Sequence, residues 1–289
     1  MKRTRRSLRR REKDEKTLFL FPLRDGTAVK CRPALTATAG TVSLKRWNKS
    51  MLIPLRDETP FRRVPAMTAA LVAANLAVFF YFRLQGGQAF LAAVYRLGLI
   101  PRELWAGNLD FSPGHGFLAS LFYSMFMHAG LVHLGGNMLF LWIFGNGVED
   151  ELGRLRFLFY YLGCGAVAAL VHVGFNLRSA VPMVGASGAI SGVLGAYLYR
   201  FGWARVRVLA FVLIFPVTFR APAWLLIGLW FAMQVLSGLP TLVAAPVTGV
   251  AYLAHVGGFV VGYWYMRRRR SVKRAVYSGR RGGRWGMRP

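Results

Sequence analysis

Residues 180–199 read AVPMVGASGAISGVLGAYLY. The run is long and apolar enough for a membrane span, which takes roughly 20 such residues. It nevertheless carries Ser187, Ser191 and a set of glycines near one end. Strongly polar groups inside a span are costly and default to functional candidates. Glycines weaken a helix, yet they let neighbouring membrane helices approach backbone to backbone. The question is which other spans supply a partner for the hydroxyl.

Composition fixes the setting. The chain has 289 residues, 55% of them hydrophobic and 14% aromatic, with a mean hydropathy of +0.38. A net charge of +27 would ordinarily raise nucleic acid as a partner. The positions of the charge argue otherwise. Of 38 Lys and Arg, 18 precede Val64, 10 follow Met266, and only 10 fall in the 203 residues between. Basic flanks around an apolar body are the pattern of an integral membrane protein. No nucleic acid is expected; the lipid bilayer is. Cys31 and Cys164 fall in the basic flank and mid-membrane, so no disulfide is expected. The apolar run TLFLFPL near the start is too short for the core of a signal peptide.

Six segments qualify as spans: 65–82, 130–148, 157–176, 182–201, 221–239 and 246–266. The short run VLAFVLIFP at 208–216 reads as interfacial. With the N-terminus cytoplasmic, 34 Lys and Arg share one side and Arg83, Arg96, Arg102 and Arg178 the other. The fold class is therefore all-α integral membrane, a bundle of six transmembrane helices with both termini cytoplasmic. Residues 1–50 read as a basic, unstructured extension, 51–268 as the membrane domain and 269–289 as a basic tail that meets anionic lipid. MLIPLRDETPF from Met51 reads as a complete start, so translation is expected to begin there.

The polar residues inside the spans are few. Spans 2, 4 and 6 all descend from the outer face and carry His133 with Asn137, Ser187, and His255 respectively. Ser187 stands about five residues into its span and His255 about nine, or roughly 8 and 14 Å deep at 1.5 Å per residue. His133 and Asn137 are i,i+4 and share a helix face. Gly188 and Gly192 in span 4, and Gly258 and Gly262 in span 6, form GxxxG pairs for close packing. A serine beside a neutral imidazole can act as a nucleophile. Asn137, His133 and the Ser187 backbone N–H could stabilise an oxyanion. No acidic residue follows Glu151, so a Ser–His dyad is favoured over a triad. His172, Gln234, Asn75, His128 and Ser191 are assigned to helix packing, and Glu149 to ordering the cytoplasmic loop. There is no HExxH, no pair of intramembrane aspartates, and GASGA is not a nucleophile elbow. No metal and no cofactor are expected.

These residues resemble the rhomboid intramembrane serine proteases, in their bacterial six-helix form. HAGLVHLGGNMLFLWIFGNGVED is similar to the family's second helix with H-x-x-x-N, GASGAISG to its nucleophile motif and AHVGGFVVG to its base motif. The likeness covers about residues 51–268. It implies Ser187 as nucleophile, His255 as general base, and His133 and Asn137 as oxyanion contributors. It also implies transmembrane proteins as substrates, a bacterial plasma membrane, 83–129 as a membrane-lying loop, and LPTLVAAP at 239–246 as a loop over the site. A first-loop Trp-Arg pair of many members is here Ala119 and Ser120. An aromatic that stacks on the base in some members is here Ser191. The alternative from another class is a catalytically silent relative that binds membrane clients. A proton-relaying transporter is a third option, without a membrane acid or an inverted repeat to support it.

Overall fold

The computed structural model describes residues 19–22, 28–31, 52–59, 63–106, 109–111, 116–212, 215–242 and 250–269. The chain divides into two compact units, residues 1–51 and 52–289. In the first, strands β1 (Phe19–Pro22) and β2 (Ala28–Cys31) form an antiparallel pair. Apart from this hairpin, the expectation for residues 1–50 falls outside the described residues, as does that for the tail beyond residue 269.

The second unit opens with β3 (Ile53–Asp57), followed by α1 (Ala66–Leu84), α2 (Gly87–Leu97) and α3 (Phe117–Tyr123). Then come α4 (Leu131–Leu152), α5 (Arg154–Phe175) and α6 (Ser187–Phe201). Strands β4 (Arg205–Val212) and β5 (Phe215–Pro222) precede α7 (Ala223–Gly238) and α8 (Tyr252–Arg268). A helix stands at each of the six places where a span is expected. By length and composition, three among the described residues can cross a membrane: α1, α4 and α5. Helix α7 is apolar but shorter.

Helix α1 shows how the pattern works in lipid. Its buried residues, Thr68, Leu71, Asn75 and Phe79, recur every three to four positions and include the polar Thr68 and Asn75. Leu76, Phe80 and Tyr81 face outward, the inverse of a water-soluble helix. Pro65 gives α1 no side-chain cap. Glu149, in the last turn of α4, supplies it instead. Its carboxylate accepts from the N–H groups of Met67 (2.9 Å) and Thr68 (2.7 Å) and from the Thr68 hydroxyl (2.7 Å). An acid at a helix N-terminus satisfies orphan donors and meets the dipole. Glu149 therefore ties two helices together rather than ordering a loop. One residue, Gly153 at φ 81°, joins α4 to α5. A positive φ of this size favours glycine.

Helix α6 lies in the middle, with most of its residues buried, and packs most extensively along α8. The chain is not all-α. Strands β3, β4 and β5 form an antiparallel sheet in that order, and the 208–216 run lies within the β4–β5 hairpin instead of forming an interfacial segment. The period explains this: Arg205, Val206, Arg207 and Val208 alternate charged and apolar, and Val206 and Val208 are buried while both arginines are exposed. Alternation of period two belongs to strands. The first loop also holds more structure than the sequence suggests. Helix α2 packs Phe90 edge-on against Phe79 of α1 at 5.6 Å.

Candidate active site

The segment before α6 is held in extended form by the first loop. Leu99 and Met183 exchange backbone hydrogen bonds of 3.0 and 2.8 Å, and the Gly185 N–H donates to the Ser124 carbonyl at 2.8 Å. Gly185 then turns at φ 128°. A β-carbon there would lie 2.9 Å from His133 Nε2 and 3.7 Å from Ser187 Oγ. Glycine thus leaves room where the imidazole and the hydroxyl converge.

Ser187 is the first residue of α6, with Ala186 as its cap. The sequence puts it five residues into a span; the helix in fact begins at the serine. The Ser187 N–H therefore belongs to the first turn, whose donors have no partner within the helix and carry the positive end of the dipole. His255 is likewise in the first turn of α8, not nine residues deep. Its Nε2 lies 2.7 Å from Ser187 Oγ. The helices that carry the pair touch along their backbones. A β-carbon on Gly258 would strike the Gly188 carbonyl, and one on Gly262 the Gly192 carbonyl. The glycines of α6 serve a different neighbour: Gly188 makes room for Ala168 and Gly192 for Cys164, both of α5.

The other nitrogen of His255, Nδ1, lies 2.8 Å from Gln234 Oε1 of α7. An amide oxygen only accepts, so Nδ1 carries the proton and Nε2 offers its lone pair to the serine hydroxyl. Gln234 thus bonds a neighbouring helix, as a packing residue would, and the helix it bonds is the one that carries His255. It stands on the side of the imidazole where an orienting acid stands in a triad. The Trp230 ring lies over His255, with centroids 6.0 Å apart and planes at 34°. His255 is thus held without an aromatic at position 191, where the Ser191 hydroxyl instead donates to the Ser187 carbonyl at 2.6 Å.

The four site residues read from the sequence are not equally poised. His133 lies against Gly185. Asn137 turns back into its own helix, its amide donating to the His133 carbonyl at 2.9 Å. His128 joins this region: its ring meets that of His133 edge-on at 5.2 Å, and its Nε2 is 3.5 Å from the Ala186 N–H. His172 pairs with Asn176 at the end of α5, apart from this cluster. Ser120 is buried and donates to the Phe117 carbonyl at 2.7 Å. Part of LPTLVAAP, residues 243–246, lies outside the described residues. Among the described residues, no group of three or more His, Cys, Asp or Glu side chains could hold a metal ion.

Hydroxyl, imidazole and orienting amide can together perform nucleophilic attack with proton transfer. A family model described as the rhomboid domain matches residues 115–270, which hold all of them. The chain belongs to the rhomboid family. Its helical body with several apolar helices is the rhomboid fold. The chain is similar to the rhomboid protein 1, mitochondrial, of Saccharomyces cerevisiae, at 34% identity over 157 residues, or 50% of this chain and 40% of the yeast protein. It is 34% identical over 128 residues to the rhomboid protease GluP of Bacillus subtilis, covering 44% of this chain and 23% of that protein. With the presenilin-associated rhomboid-like protein A, mitochondrial, of Danio rerio it shares 30% over 152 residues, 50% of this chain and 35% of the fish protein. The matches span less than half the length of each of these rhomboid relatives. Mitochondrial names stand among them, so they lend the bacterial plasma membrane no support.

Proposed function

We propose that this rhomboid is an intramembrane serine endopeptidase that hydrolyses peptide bonds in or near transmembrane segments of other membrane proteins. The observation that carries the reading is the 2.7 Å contact between His255 Nε2 and Ser187 Oγ. In the proposed reaction Ser187 Oγ attacks the scissile carbonyl carbon while His255 Nε2 takes its proton. Gln234 holds Nδ1–H throughout and stabilises the imidazolium. The oxyanion is met by the Ser187 N–H at the helix N-terminus, with His133 and Asn137 beside it. His255 then returns the proton to the leaving amine. Water, activated by the same imidazole, cleaves the acyl-enzyme. The topology proposed with it has six spans, α6, α7 and α8 being short ones, and both termini on the side that collects 34 of the 38 basic residues. Ser187 and His255 then lie toward the opposite face.

The test uses the full chain in liposomes with a transmembrane substrate and a fluorophosphonate probe, comparing wild type with Ser187→Ala and His255→Ala. Cleavage and labelling lost in both variants support the peptidase. A folded wild-type protein that neither cleaves nor labels turns the reading towards the silent client-binding relative.

A further inference from the structure

The three-stranded sheet carries a charge pattern that folding alone does not explain. Its registers set Arg56 opposite Arg207, and Arg207 opposite Arg220. Side chains opposite one another share a face, and like charges placed so repel. One acid offsets part of this. Glu58 Oε1 accepts from Arg220 Nε at 2.8 Å and faces an Arg207 guanidinium nitrogen at 3.5 Å. About half of each arginine side chain is exposed, and such surface pairs are worth little. Asp57 is turned away. It stands opposite Val206 in the register, on the other face from Arg56 and Arg207, and accepts from the N–H and hydroxyl of Thr59 at 2.9 and 2.6 Å. Arg56 and Arg207 line a cavity of about 350 Å³ beside Asp57, Glu58 and Thr59. A row of three arginines with one acid is best neutralised by an anion from outside.

The place of the sheet identifies the source of that anion. The hairpin leaves the bundle after α6 and returns at α7, and a tryptophan marks each junction. Trp203 is 80% exposed, and its ring lies 5.9 Å from that of the half-exposed Trp224. At the same end of the bundle, Arg268 lies over the exposed Trp264 ring at 4.0 Å. Exposed tryptophans at helix ends gather at the membrane–water interface. Beyond the junction, Phe215, Val217 and Phe219 of β5 are all exposed, Phe215 by 65%. They alternate with Arg220 along the strand, so the apolar row and the arginine take opposite faces. The hairpin is amphipathic. An amphipathic element lying in the interface dips its apolar face among acyl chains and keeps its basic face level with the phosphates.

We infer that the sheet is a phospholipid-binding surface. The row Arg56, Arg207 and Arg220 takes the phosphate of an anionic phospholipid head group, and the apolar row of β5 rests against the acyl chains. This surface lies at the far end of α6 from Ser187, a helix of 15 residues, or about 22 Å at 1.5 Å per residue. It stands whether or not the chain is a peptidase.

The experiment takes the full chain in zwitterionic detergent. It follows thermal unfolding and lipid retention by native mass spectrometry with phosphatidylglycerol, phosphatidylcholine or inorganic phosphate at equal concentration. Phosphatidylglycerol is expected to raise the wild-type unfolding temperature and to be retained over phosphatidylcholine. Each arginine near an anionic surface contributes roughly five-fold, so Arg207→Gln with Arg220→Gln should weaken phosphatidylglycerol binding about thirty-fold. Arg154→Gln with Arg156→Gln, removing the same charge from the start of α5, should leave it unchanged. Unaltered binding in the first pair, or an equal loss in the second, overturns the inference. So does equal stabilisation by inorganic phosphate, which would mark a free-anion site, or tighter binding of poly-glutamate, which would mark an acidic protein partner. If the first pair fails to fold, wild type decides alone: equal retention of the two lipids overturns the assignment.

Discussion

Gln234 Oε1 stands 2.8 Å from His255 Nδ1, on the side of the imidazole away from Ser187. This one contact fixes the tautomer that leaves Nε2 free to accept the serine proton. Gln234→Ala should therefore lower kcat about ten-fold, near 1.4 kcal/mol, with KM unchanged. Gln234→Glu, which keeps the acceptor, should restore most of the loss. Steady-state cleavage of a transmembrane peptide reads both. An effect on KM alone would return Gln234 to a packing role.

Asn137 donates to the His133 carbonyl in the resting site, yet its amide has a second N–H. If that hydrogen reaches the oxyanion, Asn137→Ala should cut turnover by up to about 10²–10³-fold without abolishing it. The Ser187 N–H and His133 remain. Wild-type kcat in this variant would remove Asn137 from the site and leave it a side chain bonded back to its own helix.

The approach of α8 to α6 leaves no room at Gly258, where a methyl group would meet the Gly188 carbonyl. Gly258→Ala should push the helices apart and lower both the unfolding temperature and cleavage. A displacement of about 1 Å can cost on the order of 100-fold in rate. Gly163→Ala on α5, where nothing lies within 4 Å, should leave activity intact and gain up to about 1 kcal/mol of helix propensity. Comparable losses in the two variants would count against backbone contact as the cause.

Asp57 is buried with its carboxyl raised above the ordinary value of 3.8, chiefly by desolvation. A carboxyl raised on folding gives stability that is full below its unfolded pKa and lost as pH climbs through the folded one. Asp57→Asn keeps an acceptor for Thr59 and cannot ionise. Its unfolding temperature should match wild type near pH 4 and exceed it near pH 8, read by scanning fluorimetry in detergent. A variant that is less stable only at high pH would show that Asp57 works as a paired carboxylate.

Much of the molecule is legible from the chain alone, because lipid makes strong demands on local sequence. Apolar runs of sufficient length become helices, and the few polar residues within them stand out. In that way Ser187, His255, His133 and Asn137 could be picked out together with the helix-packing glycines. The β4–β5 hairpin was visible in the alternation from Arg205 to Val208, but an apolar run of that length reads equally as an interfacial segment. Pairing decides it: β4 is matched along its length by β5 and over Val206 to Leu209 by β3, some 150 residues away. The start of α6 at Ser187 depends on backbone bonds to Leu99 and Ser124, which composition does not reveal. Gln234 is the plainest case. Its own sequence marks it as a polar residue in an apolar helix and nothing more. Its alignment with His255 across two helices comes from their packing angle and rotation, and a side chain acquires its role there only when a second helix brings a proton to it.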